Sequence, residues 1–448
     1  MGAGRSPAGA GAAQVSISRA QVPGPGSAAG STTRRSLWLA RLDSPLAPYY
    51  LILGSVVALV TIGLVMVLSS SNVEAFKETD NPYAVFSKQL TFACIGLPLA
   101  WIASRIPIPA WKRLAWPALA VGAAGLVAVA LIGEEVGGNR NWLHVGPVTL
   151  QPSEAAKLAL IIWGAAVLSR KHTLLGQVPH VLIPVVPAAL LLLLLVMLGG
   201  DLGTALVLVA ITVALLFAAG APLRVFLVGG ILGGAVIAQL VAGSENRMRR
   251  LGIWAGEGAC NFESVTAAGA GDYYATCWQP IHSRWALATG GWWGVGLGNG
   301  REKWLWLPAA HNDYIFAVIG EELGLMGTLT VLALFAALGV GLFKLVLASD
   351  DTFVKIATGG VLAWVLGQAI INIGTVLGMV PVIGLPLPLV SSGGSALVMV
   401  LVTFGMVLGF ARQVPGAPAA LRARARIAGR TASVLSRRRL GGRRGAGR

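Results

Sequence analysis

Apolar residues in this chain come in long unbroken runs, and the charged residues fall between them. A helical crossing of a bilayer needs about 20 predominantly apolar residues. About ten runs qualify: roughly 49–69, 85–103, 114–132, 155–169, 181–198, 202–219, 225–241, 314–347, 353–377 and 394–410. The fourth is short and holds Lys157. The eighth is too long for one upright crossing, and Gly320, Gly324 and Gly327 predict a break near its start. Backbone polar groups in lipid must be satisfied within the protein, so the pattern predicts an all-α fold, a polytopic bundle of about ten transmembrane helices.

The flanks read differently. Residues 1–48 are rich in Ala, Gly, Ser and Pro with scattered arginines, and bury too little apolar surface to fold. The first apolar run starts near Tyr49, too far in for a secretory signal peptide. Residues 412–448 hold eleven arginines and no acid. Both flanks are expected to be disordered basic tails around a membrane domain at 49–411, which carries one long loop at 242–312.

Composition supports this division. Of 448 residues, 55% are hydrophobic and 12% charged, where a soluble domain carries about 25% charged residues. The net charge of +16 owes most to the C-terminal tail. A nucleic-acid role for such a run is set aside in favour of anionic lipid heads, because the tail directly follows a span. Orientation follows from Lys and Arg. With the N-terminus inside, the cytoplasmic segments hold Arg34, Arg35, Arg41, Arg105, Lys112, Arg113, Arg170, Lys171, Arg224, Lys344, Lys355 and the tail, while the short outer segments hold only Lys77 and Arg140. Both termini are expected in the cytoplasm and the 242–312 loop outside. Cys260 and Cys277 share that loop, in an oxidising compartment, so a disulfide between them is expected. Neither cysteines nor histidines show zinc-ligand spacing.

The polar motifs gather on the outer side. Gly138-Asn139-Arg140-Asn141-Trp142 precedes Gln151-Pro152-Ser153-Glu154 and Lys157. It reads either as a cationic site for an anionic head group or as an interfacial cap, with Lys157 snorkelling to the surface. Asp201-Leu202-Gly203-Thr204 reads best as a helix N-cap. The stretch Gly290 to Gly298 is too glycine-rich for an ordinary helix and predicts an interfacial or re-entrant segment. Arg301, Glu302, Lys303 and His311-Asn312-Asp313-Tyr314 follow, with Glu321 and Glu322 just inside the eighth run. Asp313 is either a functional carboxylate at a span edge or a second N-cap. Last come Asn372-Ile373-Gly374, Pro381, Gly384, Pro386, Pro388 and Ser391-Ser392-Gly393-Gly394-Ser395, an irregular loop at the membrane face.

Taken in this order and spacing, the four motifs resemble the SEDS family (shape, elongation, division and sporulation), over nearly everything from Tyr49 to Phe410, and most closely its division members of actinobacterial type. The resemblance implies a peptidoglycan glycosyltransferase of the bacterial cytoplasmic membrane. Such a protein polymerises a lipid-linked disaccharide-pentapeptide (lipid II) on the outer face, at the division septum. A class B penicillin-binding protein is the implied partner, alongside other division proteins. The family's essential aspartate falls on Asp313. Three positions depart from the family pattern: Gly199-Gly200 stand where Gln-Pro is usual, Asn141 where Arg is frequent, and Ser392 where Tyr often follows the first serine.

The chemistry suits these residues. A sugar hydroxyl attacking a diphosphate-linked donor needs a general base, for which a carboxylate at the lipid edge is suited. The diphosphate leaving group needs cations, for which Arg140, Lys157, Lys303 and Arg247, Arg249 and Arg250 are candidates. Glu154, Glu321, Glu322, Ser391 and Ser392 complete the candidate substrate-binding set, and a divalent cation is a candidate cofactor. An elongation polymerase, a lipid II flippase and a non-catalytic division scaffold are the rival readings. A flippase should carry ionisable groups at mid-membrane, whereas here they sit at the outer edge.

Overall fold

The computed structural model describes residues 44–136, 139–146, 148–171, 177–255, 277–304, 306–308 and 310–423. The N-terminal tail, most of the C-terminal tail and Cys260 lie outside the described residues, and with Cys260 one end of the expected disulfide.

In chain order the elements are α1 (Ala47–Thr79), α2 (Ala84–Ala103), α3 (Ile108–Ile132), β1 (Glu134–Val136), β2 (Asn139–Val145), β3 (Val148–Leu150), α4 (Pro152–Arg170), α5 (Val178–Leu182), α6 (Val185–Leu198), α7 (Leu202–Ala218), α8 (Leu223–Ala242), α9 (Glu245–Ala255), α10 (Trp278–Gly290), α11 (Ile315–Ala348), α12 (Thr352–Val376) and α13 (Ser395–Ala411). Among the described residues eight helical segments are long and apolar enough to cross a membrane, counting α5 and α6 as one, and α7 and α13 are shorter apolar helices. These ten fall on the ten apolar runs, so the chain is a multi-pass helical membrane protein. The fifth run is divided because Ile183, before Pro184, is extended.

α1 outruns its apolar stretch. Its 33 residues span about 50 Å at 1.5 Å per residue, well beyond a bilayer core of about 30 Å. The extra turns carry the polar stretch Ser69 to Glu74, and the helix stops at Asp80, whose φ of 53° lies in the left-handed region. α4 and α12 form the centre, each filled by a fully buried tryptophan, Trp163 and Trp364. α8, in contrast, buries none of its residues. Lipid supplies no hydrophobic drive between helices, so close backbone approach matters. α13 meets α2 through Gly405 and Gly409, and a Cβ on Gly405 would lie 2.1 Å from the Ala100 carbonyl oxygen.

A three-stranded antiparallel sheet, β1-β2-β3, interrupts the helices, with Glu135 opposite Arg140 and His144 opposite Thr149. No strand is expected from the sequence: two of the three are three residues long, too short to show an alternating pattern. The sheet is tied down by the Arg140 N–H, which donates to the Gly199 carbonyl at 2.8 Å.

The expected break in the eighth run falls at Gly324, with φ 67° and ψ −164° inside α11. A kink there removes the two helical rungs from Leu325 to Glu321 and from Met326 to Glu322. The glycine-rich segment replaces both. The N–H groups of Val295 and Gly296 donate to the carbonyls of Glu321 and Glu322 at 2.9 and 3.0 Å. The N–H groups of Leu325 and Met326 donate to Gly291 and Trp292 at 2.9 and 3.3 Å. Only glycine permits this approach: Gly294, at φ 80°, has its Cβ direction 2.1 Å from the Glu322 carbonyl oxygen. Irregular backbone at membrane depth is thus satisfied by protein.

Candidate active site

Asp313 lies just outside α11. The helix N-cap is Tyr314 and no side chain caps it, so Asp313 is not doing the capping its sequence position allowed. Asp201 does cap: its Oδ1 accepts from the Thr204 N–H at 2.8 Å and its Oδ2 from the Thr204 hydroxyl at 2.7 Å. Asn141 donates a third hydrogen bond to that carboxylate at 3.1 Å. The Asp313 carboxylate, in contrast, has a shielded Oδ1 with no hydrogen-bond partner.

The backbone behind Asp313 is fixed by the Pro- and Gly-rich loop before α13. The Asn372 side-chain amide donates to the carbonyls of both Asp313 and Leu385 at 2.7 Å. The Ser391 hydroxyl donates to the Asn312 carbonyl at 2.7 Å and accepts from the Leu387 N–H at 2.8 Å. The Ser392 N–H donates to the His311 carbonyl at 3.0 Å. Gln89 of α2 then clamps the loop, donating to the Ser391 carbonyl and accepting from the N–H groups of Gly393 and Gly394. Gly384, at φ 78°, faces the carboxylate, its Cβ direction 3.6 Å from Asp313 Oδ2.

α9 brings arginines to the backbone beside Asp201 and to the Pro- and Gly-rich loop. Arg247 donates to the Gly200 carbonyl, beside Asp201, at 3.3 Å. Arg250 donates to the Val382 carbonyl at 3.4 Å and Trp254 to the Gly378 carbonyl at 3.2 Å. The electrostatics of Asp313 reflect these neighbours. Burial pushes its carboxyl up to about 6, His311 and Arg250 favour the charged form, and Asp201 opposes it. The result is an unpartnered carboxylate, ionised at neutral pH and basic enough to accept a hydroxyl proton.

Several expected ligands are committed elsewhere. Lys157 is fully buried, neither at the surface nor snorkelling: its Nζ lies 2.6 Å from Glu154 Oε1, 3.3 Å from Gln368 Oε1 and over the Trp364 ring. Lys303 and Glu322 form a buried pair at 2.8 Å that Ser69 joins. Glu321 Oε1 accepts from the N–H groups of Arg301 and Glu302 at 2.6 and 3.3 Å. The Ser391 hydroxyl is used twice within the fold. Five of these groups (Glu154, Lys157, Lys303, Glu322 and Ser391) are paired within the fold, as charged and hydroxyl groups inside lipid must be, whereas Glu321 keeps a shielded Oε2 with no hydrogen-bond partner. Ser392 contributes its N–H. Arg140 is exposed, with Nη1 3.4 Å from the Ala130 carbonyl.

Gln89, Gln368 and Glu74 lie outside the sequence motifs that mark the site. Gln89 and Gln368 carried a usable signal, since a lone amide inside an apolar run needs a partner. Among the described residues no group of three or more His, Cys, Asp or Glu side chains could hold a metal ion.

The chain is similar to known proteins in sequence and in fold. Residues 49–415 match the FtsW/RodA/SpoVE family, described as cell cycle protein. The probable peptidoglycan glycosyltransferase FtsW of Mycobacterium tuberculosis is 38% identical over 407 residues, covering 90% of this chain and 74% of the relative. Stage V sporulation protein E of Bacillus subtilis is 31% identical over 370 residues, covering 82% and 97%. Among solved structures, a chain from a peptidoglycan synthase complex that coordinates polymerization and crosslinking aligns with a TM-score of 0.64 at 26% identity, covering 81% of this chain and 97% of its own. The rod shape determining protein RodA of Thermus thermophilus aligns with a TM-score of 0.58 at 25% identity, covering 82% and 97%. With the family spanning the whole helical bundle and relatives this similar over most of their length, the chain belongs to the FtsW/RodA/SpoVE family of cell cycle proteins.

Proposed function

We propose that this chain is a peptidoglycan glycosyltransferase of cell division, which polymerises lipid II into glycan strands, with Asp313 as general base. The observation that carries the reading is the Asp313 carboxylate, whose shielded Oδ1 has no hydrogen-bond partner and on whose charge Arg250 acts. Asp313 accepts the proton of the attacking sugar hydroxyl as the anomeric carbon–oxygen bond to the diphosphate breaks. Arg250, within electrostatic reach of Asp313, stabilises the departing diphosphate, and exposed Arg140 is a further cation for it. A divalent cation is the candidate cofactor for sharing the diphosphate charge. The relatives named for peptidoglycan glycosyltransfer support the activity, and the FtsW name they carry supports the division role over an elongation role.

In this reading the site faces outward, both termini are cytoplasmic, and the basic C-terminal tail rests on anionic lipid. A class B penicillin-binding protein docks on the bundle, in keeping with the solved complex that couples polymerization to crosslinking. Exposed Trp292 and Trp293 suit such an interface, since aromatics anchor interfaces. Purified protein with its partner and labelled lipid II, resolved on a gel, tests the activity: a polymer ladder is expected. Translocation of lipid II in vesicles without polymer would favour a flippase, and neither activity a scaffold. Impermeant labelling of Ser36→Cys in intact cells tests the orientation, and strong labelling would reverse it.

A further inference from the structure

We propose that Gln89 of α2 is a positioning residue for the catalytic base: its amide fixes the loop segment 391–394, which in turn fixes the backbone turn that carries Asp313. The inference rests on the reading of Asp313 as the base.

A general base acts only within hydrogen-bond reach of the proton it takes. Asp313 stands on a turn, 311–314, that precedes α11, so helical rungs do not hold it. Its place is set from outside. The three consecutive carbonyls of His311, Asn312 and Asp313 accept hydrogen bonds from the Ser392 N–H, the Ser391 hydroxyl and the Asn372 amide. The His311 ring meets Glu74 of α1, with Oε2 3.0 Å from Nδ1, but a contact at a side-chain tip leaves the backbone of the turn free. The carbonyl ties do the fixing. Asn372 is carried by the central helix α12. Ser391 and Ser392, in contrast, sit on irregular backbone that must itself be held.

Part of that hold is internal: the Ser391 N–H donates to the Leu387 carbonyl at 3.0 Å, and the Leu387 N–H donates to the Ser391 hydroxyl at 2.8 Å. The external part is Gln89. Its Nε2 donates to the Ser391 carbonyl at 3.1 Å, and its Oε1 accepts from the Gly393 and Gly394 N–H groups at 3.2 and 3.3 Å. One amide thus closes on both sides of Ser392. Phe92, one turn further along α2, seats the same segment, its ring 3.3 Å from the Cβ direction of Gly394. Gln89 is buried in a membrane-spanning helix, where an amide must find partners, and its three hydrogen bonds all go to this segment. Two of the three carbonyl ties on the turn therefore depend on a side chain that makes no hydrogen bond to Asp313.

The test is polymerisation of labelled lipid II by the protein with its partner, measured over a range of lipid II and expressed per folded molecule. Gln89→Met keeps the length but leaves two N–H groups and one carbonyl unpaired. Since a misplacement of about 1 Å costs up to about 10²-fold, kcat should fall roughly 10–10²-fold. The KM for lipid II should stay within about twofold, because the lost interaction is not one of substrate binding. Gln89→Glu keeps an acceptor for the two glycine N–H groups and should recover part of the lost kcat. Ser391→Ala cuts the tie to Asn312 on the same path, so its loss combined with that of Gln89→Met should be smaller than the product of the two. Four results overturn the inference: a Gln89→Met kcat per folded molecule equal to wild type, a raised KM at unchanged kcat, a Gln89→Glu no better than Gln89→Met, or fully multiplicative losses with Ser391→Ala. Should Gln89→Met fail to insert, Gln89→Asn, one methylene shorter, takes its place, and a wild-type kcat there overturns the proposal. A wild-type protein that forms no polymer refutes the polymerase reading itself, whereas an active wild type with any of these results refutes only the role of Gln89.

Discussion

Lys303 and Glu322 form an ion pair sealed inside the protein, 2.8 Å apart, with the Ser69 hydroxyl hydrogen-bonded to the carboxylate. The pair joins the loop before Asp313 to the N-terminal part of α11, and Ser69 ties both to α1. Removing one partner of a buried pair leaves an uncompensated charge. Lys303→Met should destabilise the detergent-solubilised protein by roughly 3–5 kcal/mol. Replacing both, as Lys303→Met with Glu322→Leu, should recover most of that loss. Thermal melts of the two variants check this, and equal destabilisation in both would show that the charge pairing is not what matters.

Asp313→Asn is expected to fold, insert and bind its partner while losing roughly 10²–10⁴-fold in polymerisation, the usual contribution of a general base. Because Asp313 does not cap α11, no helix-start energy is lost with it. A folded Asp313→Asn protein polymerising at near wild-type rate would remove it from the mechanism.

Asp313 also fixes a pH window. Its carboxyl is pushed up to about 6 by burial, so polymerisation should fall as the pH drops through about 6 and the base becomes protonated. For stability the sign is opposite. A raised folded-state value means the fold prefers the protonated form; that contribution is fully present below the ordinary value of 3.8 and is lost as pH rises through about 6. At pH 7.5 the Asp313→Asn protein should therefore melt no lower than wild type. A melt several degrees lower would show that the carboxylate stabilises the fold instead.

Two neighbouring glycines separate close approach from backbone strain. Gly294→Ala places a methyl group against the Glu322 carbonyl and should abolish correct docking of the glycine-rich segment. Gly298, at φ 82°, has open space at its Cβ position, so Gly298→Ala should carry only conformational strain of about 1 kcal/mol. Expression level and melting temperature of the two variants distinguish these effects; equal behaviour would mean that the contact with α11 is unimportant.

Much of this architecture was legible in the sequence. Ten apolar runs gave ten helices because the bilayer fixes both length and composition, and Gly324 was within the glycine set expected to break α11. Asp201 capped as its Asp-x-x-Thr spacing suggested. What the sequence could not supply was pairing over distance. Spacing along one helix says nothing about which neighbour faces Lys157; Gln368, 211 positions away, is part of the answer. Gln89 and Ser391 are 302 positions apart, and only the fold brings them together. The sheet around Arg140 was invisible because its strands are too short to carry a period.

The fracture at Gly324 has a mechanical consequence. The stub Ile315–Leu323 leads directly from Asp313, and its broken rungs are welded to the glycine-rich segment instead of to the remainder of α11. The shaft beyond the fracture is tied to the same segment through Leu325 and Met326, so stub and shaft meet through a splint instead of through continuous helical rungs. Trp292 and Trp293 project from that splint at 64% and 79% exposure. A molecule that grips these two rings therefore grips the joint of α11 itself.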